Sequence, residues 1–351
     1  MPTPEHSRRV IGWDVGGAHL KGCLVEDGTV RDVAQWPSPL WQGLSHLDAA
    51  LAQARARWPQ GWDGTARHVA TMTGEMVDLF PTRAVGVARL ASHLGERLGP
   101  SLRLYGGGDG WLQPHEAPRH WASIASANWR AAAQLLAAHI GEALLVDIGS
   151  TTTDLVAVHD GRVAAHGASD AERLASGELV YQGVVRTPLC ALARRVPFGG
   201  REVNLMNEFF ATTADVYRLT RELEPAHDQH PAADGAGKDD TATRRRLARM
   251  IGCDVHDADD DGWLALARAW RGEQLGEILG QLRRVAAAST LPAHAPLVMA
   301  GCGAFLGAEL AAGLGRSWMR YAQAVQVDGA AARWADVCAP ALAVALLADR
   351  R

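Results

Sequence analysis

One pattern of turns occurs twice in this chain in the same register, and it limits the fold more than any other feature of the sequence. The first copy reads as strand Arg9–Trp13, a tight Asp14-Val15-Gly16-Gly17 turn, strand Leu20–Glu26, an Asp27-Gly28 hairpin turn and strand Thr29–Ala34. The second reads as Ala143–Val146, Asp147-Ile148-Gly149-Ser150, Asp154–His159, Asp160-Gly161 and Arg162–Ala165. Asp14, Gly16, Asp27, Gly28 and Val30 have counterparts at Asp147, Gly149, Asp160, Gly161 and Val163 without a gap. Asp-Gly between apolar runs is a strong hairpin signal. The chain is therefore read as one β-meander used twice.

The turns themselves point to phosphate. Glycines at a strand-to-strand turn allow successive backbone N–H groups to converge, and such a nest binds anions. Asp14 and Asp147 would repel a bare phosphate, but each can hold Mg²⁺ or its waters, and Mg²⁺ bridges carboxylate to phosphate oxygens. The second copy adds the hydroxyls of Ser150, Thr151, Thr152 and Thr153. Seven positions after the turn Asp stands Lys21 in one copy and Asp154 in the other, a cation and an anion expected to face each other across a cleft. A third glycine junction, Gly301-Cys302-Gly303, follows the apolar strand Leu297–Ala300; it suits either a close helix packing or a diphosphate contact.

Composition narrows the classes. At 351 residues the length suggests two domains, and 48% apolar with 21% charged residues describes a globular chain. A net charge of −4 argues against a nucleic-acid binder, and the basic run Arg244-Arg245-Arg246 reads as the solvated start of a helix. With neither a signal peptide nor an apolar run of about 18 residues, a cytoplasmic protein without membrane partners is expected. Cys23, Cys190, Cys253, Cys302 and Cys338 have no zinc-site spacing and read as structural thiols. Only Lys21 and Lys238 are lysines among 35 basic residues, so a lysine beside a glycine turn draws notice. Residues 225–262, rich in Pro, Gly and Asp, read as an exposed excursion, with His227 and His230 solvated rather than ligating.

At these residues the chain resembles the actin-like ATPase superfamily of sugar kinases and chaperones. DVGGAHLK is similar to its first phosphate loop, DIGSTTTD to its second and MAGCGA to its adenosine-side motif. Within it the chain resembles the hydantoinase A/oxoprolinase branch, and there the methanofuran-biosynthesis members often labelled tetrahydromethanopterin-linked one-carbon transfer pathway proteins. TGEMVDLFPTRAVGV, ASANWRA, DAERLASGELVYQGVVRTP and NEFFATTADVYRL carry that likeness.

The resemblance implies an α/β, duplicated actin-like (ribonuclease H-like) fold with two domains around a central cleft. Domain I would span 1–141 plus a returning C-terminal helix, about 336–351, and domain II 142–335. It implies a synthase that joins an aminomethylfuran methyl diphosphate to the phenol oxygen of γ-glutamyltyramine, or a related tyramine or tyrosine derivative, with loss of diphosphate. In that reading Asp14, Asp147 and Asp154 place Mg²⁺. Lys21 and the backbone of Gly16, Gly17, Ala18, His19, Gly149, Ser150, Thr151, Thr152, Gly301 and Gly303 take phosphate oxygens. Arg186 would clamp phosphate or carboxylate, and Glu75, Glu178 and Asp215 are the candidate bases for a phenol with a free pKa of about 10. Glu75 and Glu178 have the alternative of serving helix N-termini, Asp215 that of a structural acid and His19 that of a packed histidine. ATP use stays open, as does a homo-oligomer; the alternatives are an ATP-dependent kinase or hydantoinase-like amidohydrolase, or a nucleotide-gated scaffold.

Overall fold

The computed structural model describes residues 8–350. They form two compact units, the first made of the residues up to Glu142, Val158–Ala164 and the chain from Tyr321 onward, the second of Ala143–Ala157 and Ala165–Arg320. The sequence reading put the C-terminal return at about residue 336; in the structure it begins at Tyr321, and the hairpin tip 158–164 joins the first unit.

In the first unit β1 (Arg9–Val15), β2 (His19–Glu26), β3 (Thr29–Pro37), β4 (Arg67–Met72), β5 (Arg103–Tyr105) and β6 (Trp111–Leu112) form one sheet ordered β3-β2-β1-β4-β5-β6. The meander β1–β3 is antiparallel, whereas β4 runs parallel to β1 and β5 parallel to β4. The terminal helix Ala339–Asp349 lies against β1 so closely that a Cβ on Gly12 would stand 2.2 Å from the Ala341 carbonyl oxygen. Its apolar surface is thereby covered, and no single helix among the described residues is long and apolar enough to cross a membrane.

The second unit repeats the plan with β7 (Ala143–Ile148), β8 (Thr153–His159), β9 (Arg162–Val163), β10 (Leu179–Val180), β13 (Leu297–Ala300) and β14 (Trp318–Arg320). Its order is β10-β8-β7-β13-β14, with β9 pairing β8 and a separate hairpin of β11 (Arg195–Phe198) and β12 (Arg201–Asn204). Both hairpin turns take left-handed backbone at both central residues: φ is +49° and +76° at Asp27-Gly28, and +51° and +66° at Asp160-Gly161. The glycine turns match as well, since Gly16 N–H donates to His19 O at 3.0 Å and Gly149 N–H to Thr152 O at 2.8 Å.

The third strand of the repeat is where the copies part. β9 stops after two residues, because the next backbone donors turn to a carboxylate: His166 N–H and Gly167 N–H bond Glu178 at 2.7 and 2.8 Å. β10 then pairs the other end of β8, Leu179 opposite Asp154.

Residues 225–262 are not an exposed excursion. They contain a helix, Asp240–Met250, whose Arg246 is fully buried, and His227 is buried as well. The basic run therefore lies mid-helix, with Arg246 bonding Asp215 at 2.8 Å and Asp234 at 3.0 Å. Lys238 pairs with Asp228 at 3.0 Å. Asp215 from outside the stretch, and Asp228 and Asp234 from within it, supply the counter-charges that composition alone could not locate.

Beneath β1 and β2 lies a tryptophan cluster, with Trp13 6.0 Å from Trp58 and 5.9 Å from Trp62 between ring centroids. Gly22 makes room for it, since a Cβ there would lie 2.8 Å from Trp58. His68 stacks on Trp13, accepts its indole N–H at 3.2 Å and meets Gly61 O at 3.0 Å through Nε2, so the ring is a neutral Nε2–H tautomer. Burial pushes its pKa down to about 4. The unfolded chain thus binds a proton between about pH 6.5 and 4 that the folded chain refuses, and stability present above that window is lost as pH falls through it. The loss should be on the order of 3 kcal/mol in urea unfolding, and a His68→Gln variant should lack this slope. Parallel pH dependences would refute it.

Candidate functional site

Around the first glycine turn, neighbouring backbone holds the carbonyls to one side. Leu40 N–H bonds Gly17 O at 2.9 Å and Ser38 N–H bonds Ala18 O at 2.8 Å. In a trans peptide the next N–H points opposite its carbonyl, so those of Ala18 and His19 face away from residues 38–40. Asp14 is buried and stands opposite Lys21 in the strand register, with Nζ–Oδ2 at 3.6 Å. His19 is buried beside the turn.

The segment after β4 packs directly on this turn. Thr73 N–H bonds Val15 O at 3.0 Å, and a Cβ on Gly74 would come within 3.2 Å of Val15 O. Glu75 follows in a single 3-10 turn, 1% exposed, its carboxyl pushed up by burial. It does not cap the next helix, Arg83–Leu98, whose N-cap is Thr82. Its Oε1 accepts from Ser126 Oγ at 2.9 Å, and Arg83 approaches at 3.3 Å.

The second turn is clamped in the same manner by a different stretch. Val184 N–H bonds Gly149 O at 3.1 Å, while Val185 and Arg186 N–H both bond Ser150 O, at 3.1 and 2.8 Å. The N–H groups of Ser150 and Thr151 consequently face away from residues 184–186. Gly183 is pressed so tightly on the turn that a Cβ would lie 2.4 Å from Thr151 N. Arg186 reaches Thr151 Oγ1 at 3.3 Å. Behind it, Gly183 O accepts from Thr213 Oγ1 at 2.9 Å and from Gln274 Nε2 at 3.0 Å, and Gln274 in turn accepts from Tyr217 OH at 2.7 Å.

Gly301 and Gly303 serve close packing. Gly301 (φ +79°) passes so near β7 that a Cβ would stand 2.1 Å from Ile148 O and 2.6 Å from Asp147 Oδ1, and Gly303 N–H bonds Ile148 O at 2.8 Å. This brings the third junction beside Asp147, which is partly exposed, as are Gly149, Ser150, Thr151 and Thr152.

Three acids are occupied elsewhere. Asp154 is buried in an ion pair with Arg173, Nη1–Oδ1 2.7 Å, and Arg173 is 1% exposed. A guanidinium at that distance removes Asp154 from a metal-ligand set. Glu178 accepts from His166 N–H, Gly167 N–H and Ser176 Oγ, which ties the loop beside β8. Asp215 is fully buried between Arg218 at 2.7 Å and Arg246 at 2.8 Å, with Thr212 N–H on its other oxygen. Ser126, Arg83, Arg173 and Gln274 are not singled out by the sequence; Arg173 and Gln274 are buried polar residues on helices, and no motif spacing marks any of the four.

The family described as hydantoinase/oxoprolinase matches residues 68–337. A protein of Methanocaldococcus jannaschii named (4-{4-[2-(gamma-L-glutamylamino)ethyl]phenoxymethyl}furan-2-yl)methanamine synthase is 30% identical over 254 residues, 72% of this chain and 74% of the relative. A Methanococcus vannielii protein of the same name is 30% identical over 142 residues, 40% of this chain and 64% of the relative. Among solved structures, an acetone carboxylase without nucleotide, from work on ATP-dependent acetone carboxylation, aligns at TM-score 0.57 and 11% identity over 97% of this chain and 70% of its own. That likeness concerns the fold alone, an α/β fold with helices against mixed sheets.

Two substitutions separate structural from anion-binding charges. Arg173→Met leaves Asp154 buried without its partner and should cost about 3–5 kcal/mol in chemical unfolding. Lys21→Arg should leave the melting temperature within a few degrees yet weaken inorganic diphosphate at least about tenfold in calorimetry, because a guanidinium fork cannot reproduce a compact ammonium beside Asp14. Unchanged diphosphate affinity would remove Lys21 from the anion site.

Proposed function

Because the chain belongs to the hydantoinase/oxoprolinase family, we propose that it is a synthase of methanofuran-type coenzyme formation, joining an aminomethylfuran methyl diphosphate to the phenol oxygen of γ-glutamyltyramine or a related tyramine or tyrosine derivative. The relatives' name supports this reading, since a phenoxymethylfuran contains an aryl alkyl ether between a phenol oxygen and a furan-bound methylene. Formation of that ether breaks the furfuryl C–O bond, and the bonding electron pair leaves with diphosphate. The phenol oxygen bonds to the methylene carbon and its proton passes to a base.

The observation that carries the proposal is the pair of clamped glycine turns, because each one fixes backbone donors before any ligand arrives. Donors preorganised where charge develops supply the largest single contribution to such a reaction. In the first unit the N–H groups of Ala18 and His19, with Lys21, would receive phosphate oxygens. In the second those of Ser150 and Thr151, with Arg186, offer donors to the same class of anion.

A divalent cation fits the second turn better than the sequence alone allowed. Asp147 with the hydroxyls of Ser150 and Thr151 is a hard-oxygen donor set, whereas Asp154 is held by Arg173. Mg²⁺ held there would neutralise charge on the leaving diphosphate. Among the candidate bases Glu75 is left, since Glu178 and Asp215 have their oxygens engaged by backbone donors and guanidinium groups. Substrates of this kind fit a cytoplasmic enzyme.

Purified protein given the furan diphosphate, γ-glutamyltyramine and Mg²⁺ should form the ether and diphosphate in equal amounts, as read by mass spectrometry. Excess chelator should abolish turnover, and Asp147→Asn should lower kcat/KM at least tenfold, or about 1.4 kcal/mol, with little change in melting. Phosphate release from ATP alone, without ether, would favour the kinase or amidohydrolase reading instead.

A further inference from the structure

The ASANWRA segment, singled out in the sequence, has no part in either glycine turn, yet it supplies Ser126 to Glu75. We propose that Ser126 and Arg83 are positioning residues that hold Oε1 of Glu75, so that Oε2 is the atom that receives the phenol proton; this rests on the synthase reading above.

Three observations converge. Ser126 has φ +50°, the left-handed region, where a residue with a Cβ is strained and persists when its surroundings fix it. In that conformation its hydroxyl donates to Glu75 Oε1 at 2.9 Å and accepts from Arg83 Nη2 at 3.0 Å, closing a triangle whose third side is the 3.3 Å Arg83–Glu75 contact. Ser126 and Arg83 both approach Oε1, while Oε2 is buried with no hydrogen-bond partner among the described residues. A buried carboxylate oxygen left in that state costs free energy unless a ligand or a proton satisfies it.

The location suits the role. Met72 bridges Ala125, so the end of β4 fixes Ser126 next to the segment that packs on the first turn. Gly86 of the following helix lets that helix approach closely, as a Cβ there would lie 2.6 Å from Glu75 O. Arg83 on the same helix is the charged group that faces the carboxylate and lowers its pKa, against the larger effect of burial. A base retaining a raised pKa is better matched to a phenol than an ordinary carboxylate.

The test uses Ser126→Gly, which keeps the left-handed backbone without strain and removes the hydroxyl together with its Cβ. Carbon-13 carboxyl spectra of the full-length protein, with the Glu75 signal assigned by its loss in Glu75→Gln, report the titration directly. Loss of the donor to the ionised form should move that titration to higher pH in Ser126→Gly, and the acid limb of kcat/KM for ether formation should move with it. Arg83→Lys, which retains the charge, should fall between wild type and Arg83→Met. An unchanged Glu75 titration in Ser126→Gly overturns the positioning role whatever the reaction is. A Glu75 titration that moves while the pH limb stays fixed overturns Glu75 as the base. A wild-type protein that forms no ether while its Glu75 titration still responds to Ser126→Gly overturns the synthase reading and leaves the cluster's coupling standing.

Discussion

The direction of a few peptide planes underlies the chemistry available to this chain. A glycine turn left to itself can rotate its planes, and an anion would have to order them on binding. Here Leu40 and Ser38 hold the carbonyls of one turn, while Val184, Val185 and Arg186 hold those of the other. The planarity of the peptide bond then dictates where the donors point. The two clamps come from unrelated sequence, one from the segment after β3 and one from the segment after β10, and they reach the same geometric result.

That dependence explains what could be read from sequence. The meanders, both Asp-Gly hairpins and the terminal helix were legible because each is specified locally, by period-two patterning or by residues that tolerate positive φ. The glycine junction at 301–303 was visible, but its purpose was not, since it is decided by contact with Ile148 from a strand about 150 positions earlier.

Charge was the poorest guide. Asp154, Glu178 and Asp215 all stood in suggestive motifs, yet each is neutralised by a partner that no motif announces: Arg173, three hydrogen-bond donors beside β8, and the Arg218–Arg246 pair. Arg246 shows the general difficulty. In a run of three arginines it resembles solvated surface, but it is wholly buried, and only the fold shows that Asp215 and Asp234 await it. Glu75 differs because burial sets it apart while its partners occupy one oxygen.

The short strand β10 acts as a ruler. Val180 pairs with Thr153, Gln182 O accepts from Thr153 Oγ1 at 2.7 Å, and by Val184 the same segment has reached Gly149. The chain thus walks back along β8 to the glycine turn almost residue by residue. Any change in the number of residues between Leu179 and Gly183 would put a side chain where only a glycine fits and turn the arginine at its end to another face. Divergence here is confined to changes of side chain at fixed length, so variety can arise along this edge through exposed positions such as Tyr181, while the geometry of the glycine turn is inherited intact.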